Sequence, residues 1–116
     1  MPIVQVTYGS KIGNDVVAEF ARALPRVVSL AVACPEEPYD HDLQPGDVDL
    51  RFRAHGPHDV GGLDVVVEVR SKWFASRADN RQERCDQIRD AVLVLIGGVG
   101  VGVYLALPVA AWSQTA

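Results

Sequence analysis

Residue 2 of this chain is a proline, set directly before the strand-like run Ile3-Val4-Gln5-Val6-Thr7-Tyr8. An initiator methionine is ordinarily removed when proline follows it, which leaves Pro2 as a free secondary amine at the head of a strand. A terminal amine ordinarily titrates at roughly 7.7–8.0. Partial burial and nearby cations both disfavour its ammonium form, and either makes the nitrogen a proton acceptor at neutral pH. If Met1 stays on, the same nitrogen is an amide and has no such basicity. Arg51, Arg53, Arg70 and Lys72 supply cations on strand-like segments. A guanidinium fork binds a carboxylate at two points, and the same charge lowers the proton affinity of a neighbouring amine. Asp49 and Glu68 project from the same strand faces, so cross-strand ion pairing is the competing role for these cations.

Other chemistry-bearing residues read as structural. His41, His55, His58 and Asp59 lie in proline- and glycine-containing loops without metal-ligand spacing, and no metal site is expected there. The glycines at 97–102 follow a helix and open a strand, the reverse of what phosphate cradling at a helix N-terminus needs. Cys34 and Cys85 form no CxxC pair and read as reduced core-filling thiols, with a disulfide between them left open. Tyr104 is either a pocket hydroxyl or interface packing.

Composition sets the frame. With 116 residues, 48% hydrophobic and 22% charged, the chain is expected to form one globular domain. A formal charge of −4 argues against a nucleic-acid partner held by counterion release. Apolar runs at 91–96 and 99–110 fall short of the ~18 residues a membrane span needs. No signal peptide is legible, so a cytoplasmic location is expected.

The elements follow from periodicity. A strand over 3–8 places Val4 and Val6 on one face and Ile3, Gln5 and Thr7 on the other. Asn14 is a candidate cap for an amphipathic helix to about residue 33, whose apolar stripe is Val17, Phe20, Ala21, Leu24, Val28 and Ala31. Glu19, Arg22, Arg26 and Ser29 take its polar side, and Pro25 predicts a kink. After a loop over 34–47, a strand alternates Val48, Leu50, Phe52 and Ala54 with Asp49, Arg51 and Arg53. Residues 55–63 read as a hairpin-like connection. A third strand over 64–72 sets Val65, Val67, Val69 and Ser71 against Val66, Glu68, Arg70 and Lys72. Ser76 and Asp79 form a capping-box-like start for a second helix, with Ala78, Cys85, Ile88, Val92 and Leu95 as its stripe. Gly97-Gly98 ends it before a fourth strand over 99–107.

The expected architecture is α+β, with two β-α-β units (2–55 and 63–108) forming a four-stranded mixed sheet and two helices on one face. The second sheet face is expected to retain Val4, Val6, Val66 and Tyr104 beside the charged residues. Such a surface predicts burial against sister chains.

Pro2 heading a strand, the two β-α-β units and the basic strand residues together resemble the tautomerase superfamily. The closer resemblance is to its 5-carboxymethyl-2-hydroxymuconate isomerase group. It is carried by the phrase Phe20-Ala21-Arg22-Ala23-Leu24-Pro25 with its mid-helix proline, by Lys72, by Arg77 opening a helix, and by Arg81-Gln82. The resemblance implies a homotrimer with Pro2 at the floor of a pocket between subunits, no cofactor, and a small anionic carboxylate as partner. It implies that Pro2 is the general base of a keto-enol tautomerase or isomerase acting on a 2-hydroxydienoate or 2-oxo acid. Arg77 is the first expected acid-binding residue, followed by Arg51 or Arg53 and then Arg70. The chain departs from the group at Asp49-Leu50-Arg51-Phe52-Arg53, where the strand arginine falls at Arg51 or is replaced by Asp49. The bulky Trp73-Phe74 pair is expected to narrow the pocket mouth, and the short tail after Trp112 to open it. A second reading uses protonated Pro2 as an acid beside Glu68 or Asp49, as in superfamily hydratase-dehalogenases and a decarboxylase. A third is a non-catalytic trimeric module that keeps Met1.

Overall fold

The computed structural model of the protein describes residues 2–36 and 44–115. Its elements run β1 (Ile3–Tyr8), α1 (Asn14–Val32), a single 3-10 turn (Pro45–Asp47), β2 (Asp49–Ala54), β3 (Val65–Arg70), α2 (Ala75–Asp79), α3 (Arg81–Leu95) and β4 (Val101–Ala106). The four strands form one sheet in the order β2-β1-β3-β4. β1 pairs parallel to β2 and β3 parallel to β4, and the two pairs join through antiparallel β1 and β3. The α+β class and the mixed four-stranded sheet are as the periodicity predicts. The 55–63 segment is not a hairpin, because β1 lies between β2 and β3.

Alternation decides the core. Val4 and Val6 of β1 lie beside Val69 and Val67 of β3, and all four are fully buried. Phe20, Leu24, Val28 and Val32 of α1, with Ile88 and Val92 of α3, complete that core. Fully burying each such side chain stabilises by about 1.5–3 kcal/mol. Val4 and Val6 therefore belong to the helix-covered layer and not to the open face. Strict two-residue periodicity puts them on the side of Val67 and Val69.

The open face is read from the register. Asp49, Ile3, Arg70 and Ala106 form one row; Arg51, Gln5, Glu68 and Tyr104 the next; Arg53, Thr7, Val66 and Gly102 the third. Tyr104 is 67% exposed there.

The helices depart from expectation at four points. Gly13, with extended backbone, occupies the cap of α1, and Asn14 is already helical. The helix runs through Pro25 to Val32, as its periodicity predicts, but Ser29, expected on the polar side, is buried, its hydroxyl donating to the Arg26 carbonyl at 2.9 Å. Burial of a hydroxyl is tolerated because the bond stays within one turn. The second helical segment breaks at Asn80 (φ −123°, ψ 35°) into α2 and α3. The Ser76/Asp79 capping box does not form. Phe74 takes the cap position, while Ser76 donates its backbone N–H to Glu36 Oε2 at 3.1 Å and its hydroxyl to Glu36 Oε1. Gly98 has φ +77°, a conformation that other residues adopt only under strain, and it turns the chain toward β4.

Candidate active site

The head of β1 is held from both sides. Pro2 is buried, and its carbonyl accepts the Asp49 N–H at 2.9 Å. Ile3, the next residue, lies between Asp49 of β2 and Arg70 of β3. A central strand with partners on both edges fixes its first residue far better than a free terminus is fixed. Met1 lies outside the described residues.

Beyond β3 the chain pulls the C-terminal segment alongside this end of the sheet. Ser71 N–H donates to the Ala106 carbonyl at 3.1 Å, and Trp73 N–H donates to the Pro108 carbonyl at 2.9 Å. Between them lies a cavity of about 200 Å³. Ile3, Arg70, Ser71 and Lys72 form its sheet side, and Pro108, Ala110, Ala111 and Trp112 its tail side. Trp73 and Phe74 are not in its wall. The segment from Pro108 to Trp112 forms one side of it, and no residue after Trp112 is in the wall. A tryptophan among small residues after Pro108 was the sequence signal for this wall.

The strand cations divide by partner. Arg51 is held by Asp49 through two contacts of 2.9 and 3.3 Å within its own strand. Arg53 pairs with Asp59 at 2.9 Å. Neither pair is cross-strand. Arg70 and Lys72 form no salt bridge among the described residues. Arg70, opposite Ile3, and Lys72 both line the cavity. Arg51 lies one row along, and Arg53, opposite Thr7, is about 13 Å from the Ile3 row at strand rise.

Arg77 has its guanidinium held by backbone carbonyls. It is fully buried; its Nε donates to the Val32 carbonyl and its Nη1 to the Lys72 carbonyl, each at 2.7 Å. Its guanidinium carbon lies 5.3 Å from the Phe74 ring centroid, within cation–π range. Arg84 Nη1 adds bonds to the Ala31 and Ala33 carbonyls at 3.0 and 2.8 Å. The last turn of α1 carries no basic residue of its own. Two arginines from later in the chain satisfy its carbonyls and oppose its negative dipole end.

The remaining candidates are engaged elsewhere. Asp59 accepts the Gly56 N–H, which with the Arg53 charge holds its carboxyl below the usual range. Asp59 and His55 line a separate hollow of about 360 Å³ at the other end of the sheet. His41 lies outside the described residues. Cys34 and Cys85 are both free thiols, and burial is the main cause that pushes the Cys85 thiol up. Among the described residues no helix is long and apolar enough to cross a membrane.

The same fold recurs in several solved structures of low sequence identity. Similar solved structures include a 5-carboxymethyl-2-hydroxymuconate delta-isomerase, at 15% identity over all of this chain and 87% of that one, with a TM-score of 0.56. Another is N1, a member of the cis-3-chloroacrylic acid dehalogenase family, at 16% identity over 92% of this chain and 75% of that one, TM-score 0.64. A third is a fused 4-OT described as a symmetric trimer, at 13% identity over 92% and 85%, TM-score 0.62. No family model and no curated protein matches the sequence.

Proposed function

We propose that the protein is a cofactor-independent tautomerase or isomerase of a small 2-hydroxydienoate or 2-oxo acid, with the Pro2 nitrogen as general base. The observation that carries this is that Pro2 is buried at the head of the central strand and directly precedes Ile3, which lines a cavity together with Arg70 and Lys72. The amine takes a proton from the enol oxygen or from carbon and returns it elsewhere on the conjugated system. Positive charge beside the developing dienolate oxygen stabilises the transition state more than the ground state. Arg70 and Lys72 are assigned to the acid group, because Arg51 and Arg53 already have carboxylate partners. Arg77 is assigned a positioning role through the Lys72 carbonyl. The exposed Tyr104 row of the open face is assigned to contact between copies, in a trimer like that of the fused 4-OT.

The test is ketonisation of a small 2-hydroxydienoate followed by ultraviolet absorbance. Pro2→Ala, with its terminus processed, is expected to turn over at least about a hundredfold more slowly, the low end of what a positioned base supplies. Unchanged turnover removes the mechanism.

A second reading rests on Glu68, which is exposed, carries no cation partner among the described residues, and shares a hollow of about 240 Å³ with Gln5, Arg70 and Tyr104. There protonated Pro2 acts as an acid while Glu68 activates water, in a hydratase, dehalogenase or decarboxylase reaction. Turnover that falls as pH rises through the proline titration favours this second reading; turnover that rises favours the base.

A further inference from the structure

We infer that the cavity lined by Ile3, Arg70 and Lys72 selects an acid with one carboxylate and an apolar tail about the size of an aromatic ring, and that Trp112 is the residue that reads the tail. The inference rests on the acid-binding reading of the same site and adds the substrate class. Charge in the cavity wall is confined to one side. Arg70 ends β3 and Lys72 follows two residues on; both line the cavity and together can grip one carboxylate. Ser71, between them, also lines the cavity but is only 4% exposed. The facing wall (Pro108, Ala110, Ala111 and Trp112) carries no charge and no side-chain hydrogen-bonding group turned to a ligand. The one polar atom of Trp112, its indole N–H, donates to Gln114 Oε1 at 2.6 Å. A second carboxylate on the substrate would thus lie against apolar surface without a partner, a costly burial.

Size agrees with this. A dry cavity of about 150 Å³ holds benzene, and the space here is about 200 Å³. Trp112 is 41% exposed, and an aromatic tail stacked on its face would cover part of that surface. The wall is anchored and not loose, since Pro108 is tied to Trp73 through the backbone.

The experiment is equilibrium binding of phenylacetate and of glutarate, read from tryptophan fluorescence in a Trp73→Phe background. That background leaves Trp112 as the sole indole of a chain with two tryptophans. Phenylacetate is expected to quench saturably and to bind at least about tenfold more tightly than glutarate, the scale of one apolar group in a fitted pocket. Calorimetry with Trp112→Ala should show phenylacetate weakened about tenfold and glutarate unchanged. Ala110→Phe, which fills the cavity from the tail, should also abolish phenylacetate binding. Glutarate bound as tightly as phenylacetate, or phenylacetate indifferent to both tail substitutions, overturns the inference. Pro2→Ala is expected to leave phenylacetate binding intact. Loss of turnover in Pro2→Ala without tail selectivity therefore refutes this inference alone. Selectivity with unchanged Pro2→Ala turnover refutes the base mechanism alone.

Discussion

Arg77 donates its Nε to the carbonyl of Val32 at 2.7 Å, joining the start of α2 to the last turn of α1 across 45 residues of chain. The same guanidinium holds the Lys72 carbonyl at 2.7 Å, so one buried cation sets both a helix end and a residue of the cavity wall.

Removing that cation strands two carbonyls. Each buried polar group left without its partner costs about 1–3 kcal/mol. Arg77→Met is therefore expected to lower unfolding free energy by roughly 3 kcal/mol, read as a lower urea midpoint. A midpoint equal to that of the parent protein would show that solvent replaces these bonds.

The strand arginines should separate by their partners. Arg70→Ala removes an uncommitted cation from the cavity and is expected to raise KM for the acid by about 10–100-fold, the scale of one charge-assisted bond. Arg51 and Arg53 are already committed to Asp49 and Asp59. Their alanine variants should change KM less than about threefold, since exposed pairs of this kind contribute under about 1 kcal/mol. Steady-state kinetics on the three variants decides the order.

Acid should loosen the junction between the end of α1 and α2. Hydrogen bonds from Ser76, first from its side chain and then from its backbone, hold the Glu36 carboxyl below its ordinary value. A carboxyl depressed in the folded state adds stability that is fully present above the usual carboxylate range and is lost as pH falls through the folded value. Glu36→Gln should remove that part of the acid sensitivity. Urea midpoints at neutral pH and at about pH 3, below the usual carboxylate range, should differ less in the variant than in the parent. Equal differences would assign the acid sensitivity to other carboxylates, Asp59 among them.

Much of the fold is legible in local pattern. Alternation locates β1 and the buried face Val65, Val67, Val69 and Ser71 of β3, because period two leaves a strand only two ways to face. Which face each strand shares with its neighbour is a matter of register. Val4 and Val6 could therefore be placed only once β1 was seen beside β3. The break at Asn80 was hidden because Ala78 through Leu95 keeps one apolar stripe across it. Arg77 was the least legible residue. A cation that opens a helix reads as exposed, and nothing nearby in sequence announces that its acceptors are Val32 and Lys72. Pro2 was visible from the sequence, whereas the tail that walls the adjoining cavity is tied to it only through Trp73 and Ser71.

The most direct measurement compares two forms of the same chain, one beginning at Pro2 and one retaining Met1, sorted by intact mass and assayed on the same 2-hydroxydienoate. A secondary amine at Pro2 is a base, and the amide formed by Met1 is not. The form beginning at Pro2 is expected to turn over at least about a hundredfold faster. Equal turnover by the two forms would contradict the assignment of Pro2 as the base.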